Sequence, residues 1–434
     1  MFRYYLDLAL RSFRRSRALT ALMVLALALG IGASMTTLTV YHVLSGDPIP
    51  GKSDRLFDVE LDSATKLSWQ PGQEPTFQLT RFDAEALQRE HRGKRQVMMS
   101  GGTSVVQPQQ AGVKAFYVPI RMTSADFFAM FDAPLLHGAG WTAADDAAAA
   151  RVAVISRKLA ERVFASTDVI GRDITVRNTL LRVVGVLGDW RPVPHYYDLT
   201  RGSYVETEDV FLPFTTAMAL KFGTSGNTEC WNSVPSSGVR AVGAPCSWVQ
   251  YWVELEHASD APAFRDYLVR YSDEQRRAGR FERPTNVRLR DVMTWLVHRQ
   301  VLPGDVTLQL WLALGFLVVC VVNAVGLLLA KCLRRGADIG VRRALGATRT
   351  DVFMQFMVEA GTLGAAGGAL GLVLAWIGLW LVRRSPVEYA PLAQLDLPML
   401  ALTLVVSLAA SLLAGLLPAW QAAQASPARQ LKTL

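Results

Sequence analysis

Four long apolar runs, each free of Asp, Glu, Lys and Arg, divide the chain into membrane-like and polar parts. A helix needs about 20 apolar residues to cross the hydrocarbon core of a bilayer. The charge-free runs are residues 18–44, 306–330, 360–382 and 397–428. They predict four transmembrane spans, at residues 18–44, 306–330, 358–382 and 397–420, the last leaving the membrane near Pro418. The first run is longer than the core of a signal peptide and has no cleavage site, which predicts an uncleaved anchor.

Basic residues near the ends of these spans indicate how the chain crosses the membrane. Lys and Arg are enriched in cytoplasmic segments close to membrane ends, and here they are concentrated in residues 1–17 and 331–357. Both segments are predicted to be cytoplasmic, and the tail 421–434, with Arg429 and Lys432, joins them after four crossings. The N-terminal segment is predicted to be a basic helix.

Residues 45–305 and the short loop 383–396 then lie outside the cytoplasm. Arg383 and Arg384 in that loop count against this orientation, but they are outnumbered by the basic residues on the other side. The net charge of +8 partly reflects this anchoring at the inner face, so that it gives no support to nucleic-acid binding.

The polar part between the first two spans alternates strand and helix patterns. An apolar strand at 151–156 is followed by Leu159 and Val163 at helical spacing, with Ser156 or a neighbour as the cap. Residues 174–176 and 181–187 flank a turn and predict a hairpin. Further along, Val249, Tyr251, Val253 and Leu255 alternate, and a helix follows with Phe264, Leu268 and Tyr271 on one face.

The fold class is therefore a membrane α-helical protein of four transmembrane helices. A large extracytoplasmic α+β domain is inserted between spans 1 and 2. Loop-forming residues are most frequent near 215–248, which marks a division into two subdomains as one alternative. Residues 287–301 are predicted to form a stalk helix that leads toward the second span.

The stretch GDPIPGKS at 46–53 matches the pattern of a phosphate-binding loop. Such a loop follows a buried strand and opens a helix, whereas this one follows a span and precedes an alternating strand pattern. Pro48 and Pro50 also lack the amide hydrogens that phosphate would need. We interpret the stretch as an exit turn from the membrane.

The extracytoplasmic part offers little chemistry. Its histidines lack zinc-binding spacing, and no serine lies in G-x-S-x-G. The pair Asp145-Asp146 is predicted to be solvated or capping, and His195-Tyr196-Tyr197 either packs inside or forms a contact surface. No residue supports catalysis, and the expectation is a non-catalytic chain without a metal.

The four cysteines differ in their predicted surroundings. Cys320 and Cys332 lie in or beside the second span and are predicted to be inert thiols. Cys230 and Cys246 lie close together in an extracytoplasmic loop, where an oxidising compartment favours a disulfide over two free thiols.

The segment 331–359 on the cytoplasmic side holds the most informative pattern. Ile339, Arg342 and Arg343 fall about one turn apart, and Gly346 ends the helix that carries them. Thr348 or Thr350 caps the next helix, which continues into the third span. A short basic amphipathic helix of this kind either lies among lipid headgroups or fits a groove in a soluble cytoplasmic partner.

The stretch DIGVRRALGATRTDVFMQFMVEAGTLGAAGGALGLVLAW resembles the signature of MacB-like, FtsX-type ABC-transporter permeases. Other stretches resemble the same family in order along the chain, among them GKSDRLFDVEL, IGRDITVRNTLLRVVGVLGDW and LLPAWQAAQASPARQLKTL. Asp338 stands where the family more often has Glu. The sequence contains no fused ATPase domain, and the expectation is a separate ATPase.

The resemblance implies a dimeric permease, with a second copy or a related chain, that binds two cytoplasmic ATPase subunits. ATP and Mg²⁺ would be bound by those subunits, and no cofactor by this chain. ATP-driven closure would move the extracytoplasmic domains, a mechanism called mechanotransmission. The implied coupling helix comprises Asp338, Ile339, Gly340, Arg342, Arg343, Ala344, Leu345, Gly346, Ala347 and Thr348.

Small and polar residues within the spans are candidates for helix packing. The third span carries glycines at three- and four-residue spacing, among them Gly364, Gly367, Gly368 and Gly371. Such positions let helices approach closely, either within the chain or against a second permease. Asn323 in the second span is expected to donate a hydrogen bond across helices.

Three functions fit the resemblance. The first is an efflux permease in a bacterial inner membrane that cooperates with a periplasmic adaptor and an outer-membrane duct. The second is an FtsX-type regulator of cell-wall hydrolases, and the third is a permease that extracts lipoproteins. The size of the inserted domain favours efflux.

Overall fold

The computed structural model describes residues 2–67, 69–108 and 114–424. The chain forms two compact units, one of Met1–Ser45 with Leu302–Leu434 and one of Gly46–Val301. Arg429 and Lys432 of the predicted cytoplasmic tail lie outside the described residues. We call the first the membrane unit and the second the inserted unit.

The helices of the described residues are numbered in chain order. They are α1 (Phe2–Arg15), α2 (Arg17–Ser45), α3 (Arg81–Glu90), α4 (Phe127–Met130), α5 (Ala143–Ala147), α6 (Arg157–Phe164), α7 (Phe214–Ala219), α8 (Ala261–Arg277), α9 (Val292–His298), α10 (Gly304–Arg334), α11 (Gly336–Ala344), α12 (Arg349–Arg383) and α13 (Leu397–Gln424). Single 3₁₀ turns lie at Ala258–Asp260 and Ala390–Leu392.

The strands are numbered in the same way. They are β1 (Leu56–Leu61), β2 (Leu79–Thr80), β3 (Arg95–Gln107), β4 (Phe116–Thr123), β5 (Leu135–Gly138), β6 (Val152–Ser156), β7 (Asp173–Val176), β8 (Thr179–Leu187), β9 (Val210–Pro213), β10 (Glu229–Cys230), β11 (Cys246–Glu254) and β12 (Val287–Asp291).

Four of the described helices, α2, α10, α12 and α13, are long and apolar enough to cross a membrane. Helix α12 begins nine residues before the predicted third span, because Thr348 and Asp351 form a capping box at its start. Helix α13 continues through Pro418 to Gln424 instead of ending near that proline. A proline inside a helix removes a single backbone hydrogen bond, and here the flanking turns continue the helix.

The membrane unit packs around α12 and α2. Helix α12 lies against both α2 and α13, and α10 lies against α2 and α13. Their contact is apolar and well buried, so that close side-chain packing holds the four helices together in this unit. The core residues are Met23, Leu27, Ile31, Met35, Ala324, Leu328, Ala360, Leu363, Ala375 and Ala414.

The inserted unit is built on one mixed sheet of order β12-β1-β11-β3-β4-β9-β6-β8-β5. The pairs β4–β9 and β6–β8 are parallel, whereas the other neighbours along this order are antiparallel. Strand β11 is buried along its whole length, on both faces of the sheet. A continuous buried strand of this kind is the centre of the domain core.

Several predicted elements of the inserted unit are confirmed. Ser156 caps α6 and accepts a hydrogen bond from the Leu159 amide. Strands β7 and β8 pair as a hairpin whose turn residues Arg177 and Asn178 both have positive φ. Helix α8 buries Phe264, Leu268 and Tyr271 on one face, as their spacing predicts.

Two predictions for this unit are wrong. Residues 287–301 do not form one stalk helix, because Val287–Asp291 pairs with β1 as a strand before α9 begins at Val292. The alternation of apolar and charged side chains in VRLRD favours a half-buried strand. Nor does the unit divide near 215–248, since β9 and β11 on either side belong to the same sheet.

Candidate functional site

The segment between α10 and α12 is folded by short-range signals. Helix α11 spans Gly336–Ala344 and is therefore shorter than the predicted 338–348. Gly346 follows with a φ of +102°, a conformation that favours glycine, and so turns the chain. Thr348 then accepts a hydrogen bond from the Asp351 amide, while Asp351 accepts from the Thr348 amide at 3.0 Å. Ala347 lies between these two features.

One face of α11 is fastened to the membrane unit by apolar contacts. Ile339 is buried, and Gly340 beside it is buried as well. The apolar cluster that contains Ile339 also includes Cys332, Val352, Phe356, Ala419 and Ala422, from α10, α12 and α13. The segment is therefore packed against three of the membrane-length helices.

The two arginines of α11 reach back toward the same unit. Arg342 Nη1 donates to Gln355 Oε1 at 3.0 Å, and Arg343 Nη1 donates to the Ala423 carbonyl at 3.4 Å. Both side chains are half-buried, whereas Asp338 is exposed. The arginines thus orient α11 on the membrane unit.

The outward face of α11 carries exposed apolar side chains beyond the exposed Asp338, and they continue to Leu345, which directly follows the helix. Val341 is 45% exposed and Leu345 is 83% exposed, and Ala344 between them is exposed too. We call these three residues the apolar tip. An exposed apolar surface on a short, rigidly held helix suits contact with a protein partner. Leu345 lies within the coupling helix that the family resemblance implies, but no local pattern in the sequence indicates that it faces outward.

A buried ion pair at the base of the segment was missed by the sequence analysis. Glu359 on α12 is almost fully buried and pairs with Lys331 on α10. It also accepts a hydrogen bond from Ser12 Oγ on α1 at 2.5 Å, and Arg335 lies 3.6 Å from its other oxygen. The signal in the sequence is an acidic residue that directly precedes a long apolar run.

The glycines of the third span lie against other spans of the same chain. A Cβ built on Gly364 or Gly368 would meet Ser411 or Ser407 of α13. On the other side, Gly367 and Gly371 face Leu27 and Ile31 of α2, 3.0 Å from where a Cβ would lie. The close packing of α12 between its two neighbours therefore depends on small residues.

Replacement of Gly364 by Ala is expected to destabilise the membrane unit by about 1–3 kcal/mol, the usual range for overpacking. A Cβ there would lie 2.4 Å from Ser411 Cβ, which cannot move without shifting α13. Gly361→Ala is the matched control, because its nearest neighbour, Leu412 Cδ2, is 3.9 Å away. In thermal unfolding of the detergent-solubilised protein, the midpoint temperature should be lower for Gly364→Ala than for the unaltered chain, and unchanged for Gly361→Ala. Equal midpoints for the two variants would contradict the close packing of Gly364 against α13.

Asn323 does not hydrogen-bond across helices of this chain as predicted. Its side chain is exposed on the outer face of α10, and among the described residues it has no hydrogen-bond partner. The helix turns this position away from α2 and α13, because the neighbouring Ala324 and Cys320 occupy the packed side.

The GDPIPGKS stretch is a turn held by its own side chains. Asp47 accepts hydrogen bonds from the Ile49 amide and from Ser53 Oγ. Lys52 Nζ donates to the Ala129 carbonyl at 2.9 Å and forms an ion pair with Asp132. The chain then enters β1, a strand, instead of the helix that a phosphate-binding loop requires.

Cys230 and Cys246 are joined by a disulfide across the short β10–β11 pair. The other two cysteines, Cys320 and Cys332, are buried thiols. Among the described residues, no group of His, Cys, Asp and Glu side chains could hold a metal ion.

The acidic pair and the aromatic motif of the inserted unit are structural. Asp145 completes a capping box with Thr142. Burial raises the pKa of Asp146 to about 6, although its carboxylate accepts hydrogen bonds from the Ala125 amide and the Trp141 indole. His195, Tyr196 and Tyr197 are all buried, so that the packing interpretation of this motif is the correct one.

A fully buried charge cluster lies beside this motif. Arg121 on β4 forms ion pairs with Asp198, at 2.7 Å, and with Glu208. Tyr197 Oη donates to the second oxygen of Glu208 at 2.8 Å. Burial would raise the pKa of Glu208, but Arg121 and its other cationic neighbours hold it well below its usual value. The cluster fastens the loop that carries these residues to the sheet.

Two family models match the chain in sequence order. The MacB-like periplasmic core domain matches residues 20–271, more than half of the chain. The FtsX-like permease C-terminal domain matches residues 310–427, which include the segment with the apolar tip.

Curated relatives agree with these matches. The macrolide export ATP-binding/permease protein MacB of Marinobacter nauticus is 26% identical over 312 residues, which is 72% of this chain and 43% of that protein. The pyoverdine export ATP-binding/permease protein PvdT of Pseudomonas aeruginosa is 25% identical over 344 residues, 78% of this chain and 45% of that protein. The chain thus spans less than half the length of these relatives.

Two solved structures similar to the chain are described as a periplasmic region and an extracellular domain. The periplasmic region of MacB from Actinobacillus actinomycetemcomitans is 11% identical with a TM-score of 0.36, covering 59% of this chain and 96% of its own. The extracellular domain of YknZ from Gram-positive bacteria is 13% identical with a TM-score of 0.35, covering 54% and 99%. The two family matches and the four membrane-length helices show that the chain belongs to the MacB-like permeases of ABC transporters.

Proposed function

We propose that this chain is the membrane subunit of an ABC transporter that converts ATP hydrolysis by a separate cytoplasmic ATPase into movement of its inserted unit. The movement would drive efflux of small molecules or peptides through a periplasmic adaptor and an outer-membrane duct. The chain itself would be non-catalytic, and ATP and Mg²⁺ would be bound by two copies of the ATPase.

The apolar tip is the observation that carries this proposal. Val341 and Leu345 project from a helix that is held on its other side by Ile339, Arg342 and Arg343. The exposed apolar side chains of a rigid helix are more stable when they are buried in a groove of a soluble protein than when they remain in water. Since α11 connects α10 with α12, a push on the tip acts directly on two spans.

The relatives and the charge pattern support efflux from a bacterial inner membrane. Curated relatives are named for the export of macrolides and of pyoverdine. The basic residues at 1–17 and 331–357 favour a cytoplasmic position for the tip and for both chain ends. The inserted unit then lies in the periplasm, where a disulfide such as Cys230–Cys246 is stable.

A second permease copy is proposed to cover the outer face of α10. Asn323 lies there eight residues before Lys331, about 12 Å along the helix. An amide in hydrocarbon without a partner is costly, and a hydrogen bond to the same residue of a second copy would satisfy it.

Asn323→Cys is therefore expected to yield a disulfide-linked dimer when membranes are oxidised. The native Cys320 and Cys332 are buried and should not interfere. Leu404→Cys, on an exposed face of α13, is the control and should remain monomeric on a non-reducing gel. Cross-linking of the control but not of Asn323→Cys would place the interface elsewhere.

The proposed function is tested on the tagged full chain purified from its native membrane. Mass spectrometry should identify an ABC ATPase and an adaptor among the proteins that accompany it. A cell-wall hydrolase or a lipoprotein carrier in place of the adaptor would instead favour one of the alternative functions. Absence of any ATPase would contradict the proposal.

Movement is measured on the same complex with a spin label. Leu180→Cys provides an exposed attachment site for the label at the β7–β8 hairpin. The label should react with this cysteine alone, because the native cysteines are buried or disulfide-bonded. The distance between the labels of two copies should change when a non-hydrolysable ATP analogue and Mg²⁺ are added. An unchanged distance would rule out mechanotransmission.

A further inference from the structure

The ion pair of Lys331 and Glu359 lies where the two spans that flank α11 come together. Lys331 is close to the C-terminal end of α10, and Glu359 is in the third turn of α12. Along the described residues, the backbones of these two helices make little direct contact. The ion pair is therefore the polar link between them at the level of α11.

Helix α1 joins the same arrangement. Tyr5 Oη donates to Asp351 Oδ1 at 3.0 Å, and Ser12 Oγ donates to Glu359 Oε1 at 2.5 Å. The two contacts are roughly two helical turns apart on each helix, so that α1 runs alongside the start of α12. The ammonium group of Lys331 also lies 4.8 Å from the centre of the Phe13 ring.

A cavity of about 280 Å³ separates α1 from α11 beside this cluster. Its lining includes Leu8 and Ser12 of α1, Ile339 of α11 and Phe356 of α12. Helix α11 is therefore not packed tightly against α1, and a load on the apolar tip could shift it into this space. The link at Lys331 and Glu359 adds a directional bond to the apolar cluster that Cys332 shares with Val352 and Phe356, and so holds α10 to α12 under such a load.

Burial of this pair is difficult to explain by stability alone. Both side chains are almost completely removed from solvent. The cost of desolvating two charges commonly cancels their attraction, so that well-packed apolar side chains would stabilise the fold as well or better. A directional bond that fixes one relative position of two helices is what the charges provide and apolar groups do not.

We propose that Lys331 and Glu359 are positioning residues for energy coupling. With Ser12 they fasten α1, α10 and α12 into one block, and force applied to α11 by the ATPase moves both spans together. Without the bond, the same force is absorbed by separation of α10 from α12. The inference rests on the proposed function and adds residues to it that make no contact with the ATPase.

The test uses the double variant Lys331→Met with Glu359→Leu in the purified complex. This variant removes both charges together and fills their space, whereas Glu359→Gln would leave Lys331 buried without its carboxylate. Arg335 and Ser12 also lose Glu359 as a partner, but Arg335 is 20% exposed and keeps access to solvent. We expect the ATPase still to purify with the chain and to hydrolyse ATP within about twofold of the normal rate. The nucleotide-dependent change in the Leu180→Cys label distance should be largely lost.

The exposed pair Lys158–Glu206 supplies the matched control. Lys158→Met with Glu206→Leu makes the same chemical change on the surface and should leave the distance change intact. A full-sized distance change in the Lys331/Glu359 variant would overturn the inference while leaving the proposed function standing. No distance change in the unaltered complex would overturn the proposed function and the inference with it.

Discussion

Leu345→Glu is expected to weaken binding of the partner ATPase by about thirtyfold or more. Leu345 is the most exposed side chain of the apolar tip, and binding would remove it from water. A carboxylate buried there without a partner costs at least about 2 kcal/mol, and about 1.4 kcal/mol corresponds to tenfold in affinity. The measurement is a titration of the purified ATPase against the immobilised chain.

Val297→Glu is the control for this experiment. Val297 is 76% exposed in α9 of the inserted unit, and by the proposed topology it lies on the opposite side of the membrane. It introduces the same charge at a similarly exposed apolar position and should leave the affinity unchanged. Equal affinity of the Leu345→Glu variant and the unaltered chain would show that the tip is not the contact.

Arginine substitutions in α11 would be a weaker test of the same contact. Reversal of the charge at Arg342 or Arg343 would break the hydrogen bonds to Gln355 and to the Ala423 carbonyl. A loss of binding would then report either a missing contact or a displaced helix. The Leu345 side chain makes no hydrogen bond that orients α11. Its replacement therefore tests the contact with the ATPase without displacing the helix.

The local structure of the segment could be predicted because its signals lie within a few residues. Gly346 ends α11 through its own backbone freedom, and Thr348 caps α12 with Asp351 three residues later. The direction in which α11 faces could not be predicted. The basic residues are drawn inward by groups 13 and 80 residues away along the chain, and the apolar edge is left outside.

The buried charges could not be found from the sequence for the same reason. Glu359 meets Ser12 from 347 positions away, and Arg121 meets Glu208 from 87 positions away. Arg121 lies on a strand where a charged residue would ordinarily indicate the solvent side. Its place in the core depends on a loop that brings Asp198 and Glu208 to it, and no local pattern specifies that arrangement.

Arg121→Met is expected to destabilise the inserted unit by about 3–5 kcal/mol at neutral pH. Methionine fills most of the space, but Asp198 loses its ion pair with Arg121, and Glu208 keeps Arg201, at 3.2 Å, as its remaining arginine partner. Unfolding of the full chain in denaturant can be followed by tryptophan fluorescence. Trp190 stacks on Tyr197 and Trp252 donates to the Tyr197 carbonyl, so that both report on the cluster.

The pH dependence of this loss has a definite sign. In the unaltered chain the pKa of Glu208 lies well below its usual value, because burial, which would raise it, is outweighed by Arg121 and other cations. That contribution to stability is present at neutral pH and is lost as the pH falls through the folded-state pKa. Without Arg121 the pKa of Glu208 is lowered less, although Arg201 and His195 still act on it. The variant should therefore lose more stability at neutral pH than at a pH well below the usual pKa of a glutamate, where the contribution is already lost in the unaltered chain.

Two further variants separate the cluster from a general effect of removing an arginine. Arg182→Met breaks an exposed ion pair with Asp173 and should cost at most about 1 kcal/mol. Glu208→Gln combined with Arg121→Met removes one of the two carboxylates that lost Arg121 and should recover part of the loss, most clearly at neutral pH. The contrary result is that Arg121→Met proves no more destabilising than Arg182→Met at either pH. That result would show that aromatic packing, and not the buried charges, holds the loop with Asp198 and Glu208 to the sheet.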